Sequence, residues 1–159
     1  MNILPVRIHT LEHAPGQLEA IAAWYEDAWE PHYGPEGPGN ARGDLETCLA
    51  GDQLPICLVA LDRHDAVIGT ATLREDPLVA DHDASPWLGA LLAKGKDAQL
   101  AEALLIDAIA HEAQMRGYSW LHTEAVAEEG FERRGWQPLG QADSPEGPVE
   151  IYGLELQQD

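Results

Sequence analysis

The most constraining stretch of this chain is an apolar strand that runs straight into a long amphipathic helix. Residues 86–93, Pro-Trp-Leu-Gly-Ala-Leu-Leu-Ala, read as the strand. From 97 to 116, Leu100, Leu104, Leu105, Ala108, Ile109 and Met115 mark the helix, and Gly117 closes it. A junction of this kind leaves backbone N–H groups without partners at the positive end of a helix dipole, a combination that holds phosphate. The chain's only two lysines, Lys94 and Lys96, stand at this junction. The plain alternative is a pair of solvated surface lysines, and the surrounding fold decides between the two.

The rest of the chain is strongly acidic, with 28 Asp and Glu against nine Lys and Arg and a formal net charge of −19. Neutralising a nucleic-acid backbone or an anionic membrane needs a basic surface, so both partners are excluded. Such a field attracts a cationic substrate, an amine or polyamine. Adaptation to a salty cytoplasm explains the charge equally well, whereas nothing arrays the carboxylates as a mimic of DNA would. With 159 residues and a 45% apolar composition the chain fits one domain with a real core. The first residues lack a charged-then-apolar signal pattern and no apolar run reaches membrane-spanning length, so a cytoplasmic protein is expected. Cys48 and Cys57 form no metal or redox motif and read as reduced, inert thiols.

Along the chain, a first strand over 3–10 precedes a helix from Pro15 to about residue 30, with Leu18, Ile21, Trp24, Tyr25 and Trp29 at helical spacing. The Gly- and Pro-rich stretch 31–40 reads as a loop, and a short helix follows over 43–50. Two strands, 54–61 and 66–73, form an antiparallel hairpin around a polar turn. An acidic connection over 75–85 leads into the fourth strand. After the long helix come a fifth strand over 118–124, a short helix over 125–134, and strands over 136–139 and 148–156. No repeat or domain boundary interrupts the series.

In this order, Val59-Ala60-Leu61, Ile68-Gly69-Thr70-Ala71, Ser85-Pro86-Trp87-Leu88, Met115-Arg116-Gly117-Tyr118 and Phe131-Glu132-Arg133-Arg134-Gly135-Trp136 resemble the GNAT superfamily of N-acetyltransferases. The resemblance spans essentially the whole chain and implies a single GNAT-like acyltransferase domain over 1–159. The implied fold is α/β: a mixed, mostly antiparallel sheet of about seven strands flanked by four helices. It further implies acetyl-CoA as co-substrate, lying where the fourth and fifth strands splay apart. The pantetheine arm would pair with the backbone of Leu91, Leu92 and Ala93. The diphosphate would rest on the loop and helix mouth formed by Lys94, Lys96, Asp97, Ala98, Gln99, Leu100 and Ala101.

Several positions depart from the family's loop, which usually runs Arg or Gln, two residues, Gly, one residue, then Gly or Ala. Lys96 stands at the Arg or Gln, Gln99 replaces the Gly, Asp97 adds a carboxylate, and the loop is about two residues shorter than in many relatives. A lysine serves phosphate as a point charge without the fork of Arg, so weakened cofactor binding is expected. Phe131 occupies the position of the Tyr that protonates the departing thiolate in many relatives, which removes help worth about 10² to 10⁴ in rate.

For a general base, His122 and Glu124 share one face of the fifth strand, with a solvated strand end as the bland reading. Asp81 and His82, in Asp81-His82-Asp83, precede the fourth strand where relatives often place substrate amines, although an acidic surface loop accounts for them too. Tyr33 is the aromatic assigned to the acceptor pocket, whereas the spacing of Trp24 puts it in the core. His111-Glu112 begins like a zinc-protease helix but Met115 stands at the second ligand, and no metal site is expected. Two functions remain: an N-acetyltransferase acting on a primary amine of a small cationic molecule or protein, and a catalytically degenerate GNAT domain that binds CoA or serves as a regulatory or interaction module. A homodimer is left open.

Overall fold

The computed structural model describes residues 5–50, 53–76, 84–125, 131–143 and 147–156. Seven strands form one sheet: β1 (Val6–Thr10), β2 (Ile56–Asp62), β3 (Val67–Arg74), β4 (Trp87–Ala93), β5 (Trp120–Ala125), β6 (Gln137–Ala142) and β7 (Val149–Glu155). Their spatial order is β1-β2-β3-β4-β5-β7-β6. Every neighbouring pair is antiparallel except β4 and β5. A parallel pair needs a crossover, and α4 (Ala98–Met115) supplies it. Before β2 come α1 (Leu18–Ala28), the single turn α2 (Glu30–Tyr33) and α3 (Ala41–Thr47).

Helices cover both faces of the sheet. Leu58 and Ala60 of β2 join Leu105, Ile109 and Ala113 of α4 in one core, while Cys57, Val59 and Leu61 join Ile21, Tyr25 and Leu45 of α1 and α3 in another. A strand buried on both sides loses the apolar–polar alternation of a half-exposed one, which is why β2 reads as an unbroken apolar run. Gly69 of β3 lets α4 approach closely: a Cβ there would lie 3.0 Å from Leu105 Cδ1 and 3.2 Å from the Leu92 carbonyl oxygen. At its far end α4 closes in a Schellman motif, with Tyr118 N–H on Ala113 O at 3.1 Å, Gly117 N–H on Gln114 O at 3.0 Å, and Gly117 at φ +89°.

Some boundaries differ from those expected. The helix expected over 15–30 opens as a 3-10 turn at Pro15–Gln17 and stops at Ala28, because Trp29 leaves helical backbone angles (φ −127°, ψ 53°). The turn α2 then reaches into the stretch expected as loop. The short helix expected over 43–50 starts earlier, since the Asn40 side chain accepts the Gly43 N–H at 3.0 Å as an N-cap. It finishes as a 3-10 turn, Cys48–Ala50. Of the helix expected over 125–134, Ala125 belongs to β5 and Glu132–Arg134 to a 3-10 turn, while residues 126–130 lie outside the described set. Three helices longer than one turn are therefore described, α1, α3 and α4, against four expected. The outermost strand, β6, is longer than the stretch 136–139. It exposes Gln137, Pro138, Leu139, Gly140 and Gln141 and slips register between Pro138 and Gly140. No helix among the described residues is long and apolar enough to cross a membrane.

Candidate functional site

β4 and β5 pair over only Trp87↔His122 and Leu88↔Thr123 and then part. The Thr123 hydroxyl donates to the Leu88 carbonyl at 2.9 Å, closing the pairing at the point of divergence. Just beyond it, β4 bulges opposite Ala71, and Ala90 takes φ +52°, a left-handed conformation that costs a non-glycine residue. Past the bulge, Lys94 N–H bonds the Ile68 carbonyl at 2.8 Å, so the amide groups of 94 and 92 face β3. Strand alternation then turns the N–H and C=O groups of Leu91 and Ala93 into the gap where β5 has left. The Leu91 and Ala93 side chains pack toward α4 and Leu92 packs on the opposite face.

At the end of β4 the chain turns through Gly95 (φ +90°) into α4. Ala98 N–H bonds Gly95 O at 3.2 Å and Ala101 N–H bonds Asp97 O at 2.9 Å, while Asp97, the N-cap residue, makes no side-chain cap. Helix geometry leaves the N–H groups of Gln99 and Leu100 without intrahelical acceptors. Both residues are solvent-exposed, Leu100 to 41%. The two lysines differ in one contact. Lys94 Nζ sits 4.6 Å from the centre of the Trp24 ring, a cation–π contact that leaves Trp24 half-buried at the surface instead of in the core. Lys94 and Lys96 both line a pocket of about 310 Å³ with Pro5, Arg63, His64 and Asp97, between the β2–β3 turn and the mouth of α4.

In the paired stretch one residue before the divergence, His122 is 9% exposed and its ring lies 5.4 Å from that of Trp87. His122 Nδ1 stands 3.1 Å from the Pro86 carbonyl. A carbonyl can only accept, so the neutral imidazole carries its proton on Nδ1 and its lone pair on Nε2. Glu124 is half-buried on the same strand face, two residues on. Phe131 is buried against Trp136 (ring centres 5.2 Å apart) and Tyr152 (6.1 Å), in the α4-side core. Asp81 and His82 lie outside the described residues.

Tyr33 is buried, and its hydroxyl donates to Asp44 Oδ2 at 2.7 Å. Burial first, then the bond to the carboxylate, pushes its pKa up to about 12. Next to it lies a small pocket of about 40 Å³ between α1, α3 and the end of β3, lined among others by Tyr25, Asp44, Cys48, Thr72 and Arg74. The Tyr25 hydroxyl is buried there with no hydrogen-bond partner. Sequence reasoning missed Tyr25 and Arg74: one reads as helix core and the other as a charge ending a strand, and no spacing joins them. Burial raises the Cys48 thiol to about 11 and Cys57 to about 12, so neither forms a nucleophilic thiolate near neutrality. No group of three or more His, Cys, Asp or Glu side chains fit to hold a metal occurs among the described residues.

No family model and no curated protein matches the sequence. Solved structures do match the fold. An aminoglycoside 6'-acetyltransferase type Ii superposes with a TM-score of 0.74 at 14% identity, covering 96% of this chain and 99% of the other. An N-acetyltransferase from Staphylococcus aureus Mu50 gives 0.72 at 16% identity, with 96% and 99% covered. An aminoglycoside 6'-N-acetyltransferase complexed with coenzyme A gives 0.72 at 12%, with 96% and 98% covered. At such identities the likeness establishes architecture: the chain has the fold of the GNAT N-acetyltransferases.

Proposed function

We propose that this chain, built on the GNAT fold, transfers an acetyl group from acetyl-CoA directly to the primary amine of a small molecule or an exposed protein amine. The observation that carries the proposal is the parting of β4 from β5, which turns the amides of Leu91 and Ala93 into a gap that opens one residue beyond His122. An extended amide chain fits the first feature, because it pairs with a free strand edge as another strand would. A diphosphate fits the mouth of α4, where the N–H groups of Gln99 and Leu100 lack helix partners and Lys96 stands close by. Asp97 opposes that charge. Bound acetyl-CoA supplies a thioester carbonyl that an amine attacks.

Leu91 and Ala93 hold the acyl carrier in register along β4. His122 takes a proton from the acceptor ammonium at Nε2 while Pro86 fixes the ring through Nδ1. Glu124 on the same face holds the acceptor's positive charge before that transfer. Phe131 has no proton to give the departing thiolate, which is left to water, at a cost of about 10² to 10⁴ in rate. The whole chain's charge of −19 draws cations toward the site.

A second reading, a degenerate domain that binds CoA as a regulatory or interaction module, draws its support from the buried Phe131 and from Gln99 and Asp97 at the mouth of α4. One experiment separates them: thermal unfolding with acetyl-CoA, followed by thiol release on addition of an amine panel. The enzyme reading expects stabilisation and release in the wild type, and stabilisation without release in His122→Gln. Stabilisation with no release from the wild type supports a CoA-binding module, and no stabilisation refutes acetyl transfer and supports a domain that has lost its cofactor site.

A further inference from the structure

The pocket between α1, α3 and the end of β3 has the makings of an anion receptor in a protein that is otherwise strongly acidic. Tyr25 contributes a hydroxyl that is buried and unpartnered, an arrangement that costs free energy unless something fills it. Arg74 contributes a guanidinium that hydrogen-bonds the Tyr33 side chain and, with donors to spare, engages no ion pair among the described residues. Its volume, about 40 Å³, is too small for a ring and enough for a carboxylate or a few waters. Asp44 also lines it, with one oxygen engaged by Tyr33. That carboxylate raises the cost of a dianion, so a singly charged carboxylate suits the pocket better than phosphate.

The pocket also lies against the gap. Thr72, on its wall, donates to the Gly89 carbonyl at 2.9 Å. A Cβ on Gly89 would stand 3.5 Å from Arg74 Cδ. Gly89 directly follows Leu88, the last β4 residue paired with β5. Two residues of chain, at most about 7 Å across the bulge, separate Gly89 from the cleft-facing amide of Leu91. A carboxylate held by Arg74 therefore leaves a nearby amine within reach of the cleft.

We propose that this pocket is the carboxylate subsite of the acceptor site and that the acceptor is an amino acid, held through Arg74 and Tyr25 with its amine turned past Gly89 toward the cleft. The inference rests on the acetyl-transfer reading and narrows it from amines in general to zwitterions. It also explains why one of nine basic residues stands half-buried at the end of a sheet strand.

The test is calorimetric binding of the L-amino acids and of their decarboxylated amines to the CoA-saturated and the CoA-free protein, with acetyl transfer measured on the same pairs. At least one amino acid is expected to bind about tenfold or more tightly than its amine, the value of a charged hydrogen-bonded pair. Arg74→Gln should abolish that preference by weakening binding of the amino acid about tenfold or more. Tyr25→Phe should weaken amino-acid binding yet leave the melting temperature unchanged or higher, since its hydroxyl has no partner to lose. Equal binding of amines and amino acids, a preference that survives Arg74→Gln, or a pocket that takes only water overturns the subsite. Equal transfer to both classes overturns the subsite while leaving acetyl transfer standing. Amino-acid binding without any transfer keeps the subsite and removes the enzyme.

Discussion

Gly69→Ala tests whether the closeness of α4 to the hairpin holds the mouth of that helix in place. The added methyl would sit 3.0 Å from Leu105 Cδ1, 3.2 Å from Leu92 O and 3.4 Å from Ala101 Cβ. Carbon contacts relax at about 3.5–4.0 Å. Leu92 pairs with Thr70 in the β3–β4 ladder, so its carbonyl cannot withdraw without breaking the register. Leu105 and Ala101 are fully buried, which leaves α4 to move. Overpacking of this kind costs about 1–3 kcal/mol, and removing glycine from a strand returns about 0.5–1 kcal/mol. The net destabilisation, between about 0 and 2.5 kcal/mol with a midpoint of about 1 kcal/mol, corresponds at that midpoint to a fall of about 2–4 °C in melting temperature. Because Ala101 directly follows Gln99 and Leu100 in the first turn of α4, the same displacement should weaken acetyl-CoA binding. Calorimetric unfolding and titration with acetyl-CoA read the two effects separately. An alanine variant as stable as the wild type, with unchanged affinity, would refute the reasoning.

Thr123→Val removes the hydroxyl that donates to Leu88 O and should cost about 1–3 kcal/mol in urea unfolding, whereas Thr123→Ser should retain most of it. Stability should fall as pH rises above about 9. Burial lifts Cys57 from 9.0 to about 12 and Cys48 to about 11, so in this range the unfolded chain gives up thiol protons that the folded chain keeps. Each thiol then contributes a decline of up to about 1.4 kcal/mol per pH unit, ending near its own folded pKa. Urea midpoints from pH 7 to 11 in the wild type and in Cys57→Ala measure the difference, and parallel profiles would contradict the assignment. Lys94→Ala should lower stability by about 0.5–1 kcal/mol through the lost contact over Trp24. Lys96→Ala should weaken acetyl-CoA binding and flatten its salt dependence more than Lys94→Ala, because Lys94 is also held over Trp24; a larger loss of affinity in Lys94→Ala would contradict that ranking.

The elements most legible in the sequence are those whose pattern has a local cause. Helix α4 shows its apolar spacing and its closing Gly117, and the β2–β3 hairpin shows two apolar runs around a polar turn. Strand β6 was harder to bound because five consecutive residues face solvent, so no alternation marks its extent. The turn α2 hides in a stretch of Gly and Pro because Pro31 stands at a first-turn position, where a missing N–H costs nothing. In the candidate site, the facing of Leu91 and Ala93 follows from strand parity once the bulge is located, and His122 with Glu124 follows from the period of two. Tyr25, Asp44 and Arg74 lie 19 and 30 residues apart in the chain and meet only through packing of α1 and α3 on β3, a relation no local spacing encodes. The meeting of Lys94 with Trp24 is of the same kind.

Strand β6 forms one rim of the sheet, and rims are where β-proteins recruit unwanted neighbours. Here Pro138 offers no backbone donor, and the slip toward Gly140 breaks the straight ladder a docking strand would follow. With negative charge repelling like chains besides, lateral growth of this sheet from copy to copy is disfavoured at that margin. A protein so protected should tolerate crowding in concentrated solution without fibril formation seeded from this strand.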